Sequence, residues 1–571
     1  MRKYFLLFVL LLISAGFRFI NLGNRGLFTD EKFTMLNANG IWVGGGNQVD
    51  IYNQQYFTPA DFWKTKKIND YFEAIAHSDF GTHIVYNGIV HYWMQLFGNS
   101  DFSVRFLSAI FSLITVLLVF LLVSKYLKNN TAAFFAGLLL ALDPLNIAQS
   151  HIARSYTLSF LIMVLSTIYF LKILNSTKNT KYFIVYALLV GLGMLNHYLN
   201  FLVPLCHALV FLVLKNKKHL WCGFIGAALF NVLLMLYWFN WGGGYLAMEF
   251  LKDKNEKHLE MAKGALDGII ELSTPEIVTK KTLELFFDSS VLSQGLFTLL
   301  NGVKNVGISL LVFLSLLGAY FFKKNKKVFG LFFIPVLLLL GAYPYLFNGI
   351  LVACFLYFVL FLGLKYTIDL YKKTENRAQF ALMAVCLLMI FLPILFVVND
   401  ALSNGHTTSL THRYIGVASP FVAIFIGVSL SNIIKQSSLI NFLLVCVCLI
   451  QYKPVKKEIW SYFEDKSLMN AYFEPSRIEN PYAQAAKSIM NTAQKSDTLI
   501  IPGGFKNVYM QAYESKVVKS YLDAQFLNVY FPKDFYIMQK IDAYEKDKIY
   551  LKKENGEKVL IFDFQGTKYR Y

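Results

Sequence analysis

Four arginines stand where arginines are expensive. Arg18, Arg105, Arg154 and Arg413 each fall at, or just inside, the end of a long apolar run, away from the short lysine-rich connections. Ionisable groups within such runs cost free energy and usually mark a site or a pathway. A guanidinium is a planar fork that fits phosphate oxygens two at a time, which an ammonium cannot match. A single arginine at a span end can simply snorkel to lipid headgroups. Four at one level, with Asp143, His151 and His197 beside them, point instead to an organised anion site.

The first polar segment supplies carboxylates. Asp30 and Glu31 follow the first apolar run in LFTDEKF, and Asp79 lies in HSDFGTH, just before an apolar, interfacial helix at about 84–97. Paired acids are most often a solvated face. Close to a membrane and to the arginines, one of them can act as a general base toward a hydroxyl. In an extended segment neighbouring side chains point to opposite sides, so one of Asp30 and Glu31 faces the cavity and the other its supporting wall. Asp79 with His77 or His83 could ligate a divalent cation, although the spacing matches no recognised zinc pattern.

These groups need a scaffold, and composition says which kind. By length, 571 residues suggest a soluble protein of several domains. The chain is 56% hydrophobic and 16% charged, with a mean hydropathy of +0.46, whereas soluble domains run at roughly 25% charged residues. The fold class is therefore a polytopic α-helical membrane protein. The net charge of +18 is read as topology rather than as nucleic-acid binding, since Lys and Arg collect in cytoplasmic loops. All six cysteines lie in apolar runs, so neither a disulfide framework nor a cysteine metal site is expected.

A bilayer core needs about 20 apolar residues per helix. Thirteen candidate spans follow: 4–22, 101–123, 131–149, 153–174, 182–195, 198–214, 219–239, 303–322, 328–346, 349–371, 379–398, 413–433 and 437–452. Short lysine-rich connections alternate with longer lysine-poor ones. The rich ones hold Lys125 and Lys128, Lys178 and Lys181, Lys215 to Lys218, KKNKK at 323–327, Lys372 and Lys373, and Lys435. That alternation places the N-terminus inside and the tail outside. The start of the chain resembles a signal peptide, but the apolar stretch continues through Leu22, which favours an uncleaved anchor. The membrane-embedded domain spans 1–452 with outer loops 23–100 and 240–302. The segment 453–571 reads as a small extracytoplasmic α/β domain, with a helix at 482–494, a strand at 497–501 and a hairpin turn at Asn555-Gly556.

Several strings, in this order and spacing, resemble glycosyltransferase family 39, the C-type membrane enzymes related to protein O-mannosyltransferases and lipid A aminoarabinose transferases. They are Asp30-Glu31, Asp79, LFGNSDFSVRFLS at 96–108, SHIARSYTL at 150–158, Asn196-His197-Tyr198, and His412-Arg413-Tyr414 with Pro420. Many bacterial members carry Glu where this chain has Ile152, and Pro-Pro-Leu where it has Thr82-His83-Ile84. The resemblance implies a C-type architecture in the plasma membrane with the active site on the extracytoplasmic side. It implies transfer of a sugar, with inversion, from a polyprenyl-phosphate donor to an acceptor on a protein, lipid or glycan, with membrane lipid and no nucleic acid as partners. Arg105, Arg154 and Arg413, with His197, Tyr156 and Tyr414, would hold the donor phosphate. Asp30 would be the base, with Glu31 and Asp79 as the other catalytic carboxylates; the reading of the residues themselves puts any divalent cation at His83. A competing reading, a flippase or exporter of a lipid-linked saccharide, calls for ionisable groups near mid-membrane. The spans show none apart from Asp143, which lies toward the outer end.

Overall fold

In lipid a helix satisfies its own backbone polar groups, and the apolar runs fold accordingly. The computed structural model describes residues 2–64, 66–176, 180–214, 218–264, 270–322, 341–373, 376–434, 438–463, 479–504 and 520–565, with a few positions between 331 and 338. The chain is a multi-pass helical membrane protein. Among the described residues seven helices are long and apolar enough to cross a membrane: Asp101–Tyr126, Tyr156–Asn175, Lys218–Trp241, Val303–Phe321, Pro344–Tyr371, Arg377–Asn404 and His412–Ile433. A bent pair, Asn130–Leu142 with Pro144–Ser150, makes up to eight. The expected thirteen are not all met by that measure. Thr180–Asn196 and Tyr198–Val213 are shorter apolar helices. Part of 328–346 lies outside the described residues, as do Lys178, Lys215, Lys217, the KKNKK run and Lys435.

The expected 131–149 span bends by 61° at its Asp143-Pro144 junction. Proline lacks a backbone N–H and drives the preceding residue out of the helical region; Asp143 accordingly sits at φ −64°, ψ 116°. Its carboxylate accepts a hydrogen bond from the Ser419 hydroxyl. Near this bend the helices approach through small residues, as is usual in membranes. A Cβ on Gly427 would come 2.7 Å from Ala136 Cα.

The tail forms a helix Pro481–Thr492, strand β1 (Thr498–Pro502), a helix Leu522–Asn528, and strands β2 (Met538–Asp542), β3 (Lys548–Lys552) and β4 (Lys558–Asp563). The sheet order is β2-β1-β3-β4, with β1 parallel to β2 and the other pairs antiparallel. The β3–β4 turn contains Gly556 at φ +88°, a backbone geometry that costs glycine little. The tail packs on the first polar loop. Gly44 donates to Gln525 Oε1 at 2.9 Å, Gln525 Nε2 donates to the Trp42 carbonyl at 2.9 Å, and Trp63 Nε1 donates to the Phe531 carbonyl at 3.2 Å. One buried apolar cluster runs through both, from Leu27, Phe33 and Tyr52 to Tyr482, Leu499 and Phe526.

Candidate functional site

The acidic pair is not extended. Asp30 and Glu31 lie in the first turn of the helix Thr29–Ala38, where carboxylates are favoured by the helix dipole. Successive helical side chains diverge as well, so the two still separate. Glu31 turns inward with a fully buried side chain. It accepts from Arg105 Nε and Nη2, both at 2.7 Å, from the Phe28 amide at 3.1 Å and from the Ala153 amide at 2.8 Å. The remaining Arg105 donors go to the carbonyls of Leu22, Arg25 and Gly26. A guanidinium has five N–H donors, and Arg105 uses them all within the protein. Expected at the donor phosphate, Arg105 is instead half of a buried clamp that joins the first loop to the Asp101–Tyr126 helix. Arg18 is similar. It donates to Ser14, Leu140 and Ala141 carbonyls and to Ser112 and Asn146 side chains, tying the first helix (Arg2–Phe19) into the bundle.

Arg154 is the hub. It lies in the irregular 151–155 segment that follows the bent pair. Its Nη1 donates to the Asp30 carbonyl at 3.1 Å and Thr34 Oγ1 at 3.2 Å, and its Nη2 to Asp79 Oδ1 at 2.9 Å and His83 Nε2 at 2.7 Å. Its Nε has no hydrogen-bond partner among the described residues. The second oxygen of Asp79 accepts from Asn37 Nδ2 at 2.8 Å, so this carboxylate is braced from both sides. Arginine only donates, so His83 Nε2 must accept. The ring proton is then on Nδ1, which donates to the Ser155 hydroxyl. Burial, reinforced by the Arg154 charge, holds the His83 imidazole well below its usual range and neutral. His197, buried in the turn after Asn196, is pushed down to about 4 for the same two reasons in the same order.

The loop that carries Asp79 and His83 is held in an unusual conformation. Phe80, Gly81 and His83 all have positive φ, at 52°, 72° and 70°. Such geometry on non-glycine residues costs of order 1–3 kcal/mol and persists only where surroundings impose it.

Arg413 comes from the short helix His412–Ile415. His412 anchors that turn through Asp288 Oδ2 at 3.0 Å. The Arg413 guanidinium lies 5.0 Å over the Tyr414 ring and 3.5 Å from Asp30 Oδ2. That separation is long for a charge-assisted bond. Asp30 is also the open carboxylate: its side chain is 30% exposed against 3% for Asp79 and 0% for Glu31. The Tyr156, His83, His197 and Tyr414 rings form a wall with centroid spacings of 5.7–6.3 Å. The structure thus brings Asp30, Asp79, His83, Arg154, Tyr156, His197, Arg413 and Tyr414 together, and leaves Glu31 with Arg105 behind them.

One cation escaped the sequence reading. Lys254, on the amphipathic helix Gly244–Gly264, places its ammonium 4.4 Å over the Phe80 ring. It lies within electrostatic reach of Tyr414, Arg413, Asp30 and Asp79, and burial pulls it below the usual lysine range. Nothing in a run as polar as EFLKDKNEKHLE singles out one lysine. The i, i+4 spacing of Phe250, Lys254 and His258 is the signal that was available.

The expectation of a divalent cation at His83 does not fit the geometry. His83 Nε2 faces a guanidinium, and both Asp79 oxygens are already engaged. Among the described residues no group of three or more His, Cys, Asp or Glu side chains is arranged to hold a metal ion.

Residues 84–239 match the family model for dolichyl-phosphate-mannose-protein mannosyltransferases. The matched stretch holds Arg105, Arg154, Tyr156 and His197 and agrees with the resemblance read from the sequence. The solved structures similar to the chain include the oligosaccharyltransferase of Archaeoglobus fulgidus in complex with Zn and sulfate, at 14% identity and a TM-score of 0.45. That match covers 86% of this chain and 56% of the other. Also similar is AglB from Archaeoglobus fulgidus with an inhibitory peptide and a dolichol-phosphate, at 13% identity, 86% and 58% coverage and a TM-score of 0.45. A third is ArnT from Cupriavidus metallidurans bound to undecaprenyl phosphate, at 12% identity, 88% and 84% coverage and a TM-score of 0.38. The chain therefore spans little more than half the length of the oligosaccharyltransferases. No curated protein matches it.

Proposed function

We propose that the chain is a C-type membrane glycosyltransferase that moves a sugar from a polyprenyl-phosphate donor to an acceptor hydroxyl. In this reading the site faces the extracytoplasmic side of the plasma membrane, and the acceptor is a protein, a lipid or a glycan. The observation that carries the reading is the pairing of one open carboxylate, Asp30, with a partly exposed guanidinium, Arg413, 3.5 Å away. A base and an anion receptor stand side by side at the mouth of an apolar bundle. The match to the mannosyltransferase family over 84–239 supports the same chemistry.

The acceptor hydroxyl gives its proton to Asp30 as its oxygen attacks the anomeric carbon. The bond from that carbon to the phosphate oxygen breaks, the electron pair leaves with the phosphate, and the anomeric configuration inverts. Arg413 faces the departing phosphate. Arg154, saturated on one side by Asp79 and His83, fixes the Asp30 backbone so that the base does not drift. Because the described side chains around His83 and Asp79 do not fit a metal ion, no step is routed through one.

The test uses the full chain reconstituted in liposomes with polyprenyl-phosphate mannose as probe. Asp30→Asn keeps the shape and removes the proton acceptor. Turnover should fall about 10²–10⁴-fold, the usual worth of a general base, with donor binding nearly unchanged. A parallel loss of binding and turnover would make Asp30 a binding group. Movement of the lipid-linked sugar across the bilayer without transfer would replace the reading with the flippase.

A further inference from the structure

The Gly244–Gly264 helix presents a stripe at helical spacing to the site: Ala247, Phe250, Lys254 and His258. A plain packing stripe would be apolar throughout. Ala247 is fully buried, and an added Cβ on Gly81 would stand 2.9 Å from its Cβ. Phe250 packs edge-on against His77 with ring centroids 4.2 Å apart. His258 lies against His406 at 5.5 Å. The position between them, facing the Asp79–His83 loop, holds a charged residue, Lys254, 4.4 Å over Phe80.

We infer that the Gly244–Gly264 helix roofs the site and that Lys254 is a phosphate-binding cation, matched to the second negative charge that the donor phosphate acquires when its glycosyl bond breaks. This inference rests on the proposed transferase reading and deepens it. The charge balance is its main argument. Around the cavity stand Arg154, Arg413 and Lys254, facing Asp30 and Asp79, with Asp400 within electrostatic reach of Tyr414. His83 and His197 are neutral, and Glu31 is cancelled by Arg105. Nearest the reacting groups, Arg154, Arg413 and Lys254 outnumber Asp30 and Asp79 by one, and a polyprenyl-phosphate sugar, a phosphodiester, brings one negative charge. During transfer the acceptor proton passes to Asp30 and neutralises it, while the phosphate leaves as a doubly charged monoester. Among these groups the positive excess then rises by one as the phosphate gains its second negative charge. Without Lys254 the cavity holds one positive charge fewer at every stage. Cations preset where charge develops act on the transition state rather than on the ground state.

The experiment compares Lys254→Gln, Lys254→Arg and, as control, Lys252→Gln, an exposed position on the same helix. Each full-length variant is assayed for transfer from polyprenyl-phosphate mannose and for binding of undecaprenyl phosphate. Lys254→Gln should lower kcat about 10²–10³-fold, the scale for one lost charge-stabilising donor. It should weaken the doubly charged monophosphate at least tenfold more than the singly charged donor. Lys254→Arg should restore most of both, and Lys252→Gln should change neither. If Lys254→Gln retains wild-type turnover and monophosphate binding, the inference is overturned while the transferase reading stands. If the wild-type protein neither transfers the sugar nor binds undecaprenyl phosphate, both fall together.

Discussion

An arginine's role is set by how deeply the fold has enclosed it. Arg105 and Arg413 look alike in sequence, each polar at the end of an apolar run. Arg105 is buried against three carbonyls and a carboxylate, whereas Arg413 is 19% exposed and lies 3.5 Å from the open Asp30 carboxylate. Their variants should therefore behave in opposite ways. Glu31→Gln leaves Arg105 charged and buried without its counter-ion, a change that typically costs 3–5 kcal/mol. It should appear as lost accumulation and a lowered Tm, with donor affinity unchanged in whatever protein survives. Arg413→Lys should fold normally in a thermal-unfolding assay and lose transfer about 10²–10³-fold. Equal thermal losses in the two variants would contradict the division. The carboxylates and arginines could be found in the sequence because charge in an apolar context stands out. Which of them were spent on the fold could not, because the acceptors are backbone carbonyls contributed by residues 79–83 positions away.

Two irregular elements hold the hub in place: the 151–155 segment beyond the bent pair and the Asp79–His83 loop. The sequence displayed Pro144, and so a reason for the bend, but the mainly apolar stretch 131–149 read as one span. Gly81 is the sharper case. At φ +72°, and with Tyr198 Oη only 2.5 Å from where a Cβ would sit, Gly81→Ala pays for both backbone and contact. We expect a loss of about 1–3 kcal/mol, together with impaired transfer as Asp79 and His83 shift. Unchanged stability in chemical denaturation would show that the loop relaxes freely. The neighbouring turn at His197, beside Arg154, confers an acid sensitivity. His197 is held down to about 4, below the free imidazole value near 6.5, so the unfolded chain binds the proton more tightly. The stability this group contributes is full above about pH 6.5 and drains away as the pH falls toward 4, by about 3 kcal/mol in all. A Tm-versus-pH series should slope downward through that window, and His197→Gln should flatten it.

At the scale of the whole molecule, helices of the bundle, both long polar loops and the tail converge on one end. The tail's helix, strand and hairpin were legible because soluble-type alternation and an Asn-Gly turn are local signals. Its docking on the first loop was not, since it depends on partners such as Gly44 and Gln525 at opposite ends of the chain. Topology also belongs to this scale. Single cysteines placed near Lys252 and near Lys533 should be labelled together from the extracytoplasmic side, and one near Lys373 from the cytoplasm. Labelling of the first two from opposite sides would break the arrangement on which the site rests.

The shared apolar cluster of first loop and tail sets an order of events during synthesis. The loop residues Leu27, Phe33 and Tyr52 emerge first, whereas Tyr482, Leu499 and Phe526, which cover them, are made last. At about 5–20 residues per second, the gap lasts on the order of half a minute. Through that interval the nascent helix bearing Asp30 has no lid of its own chain over its apolar flank. A ribosome that stops early releases a polypeptide whose apolar loop surface stays permanently bare, a ready substrate for quality-control proteases. Premature termination anywhere before Tyr482 should therefore remove the protein rather than merely shorten it.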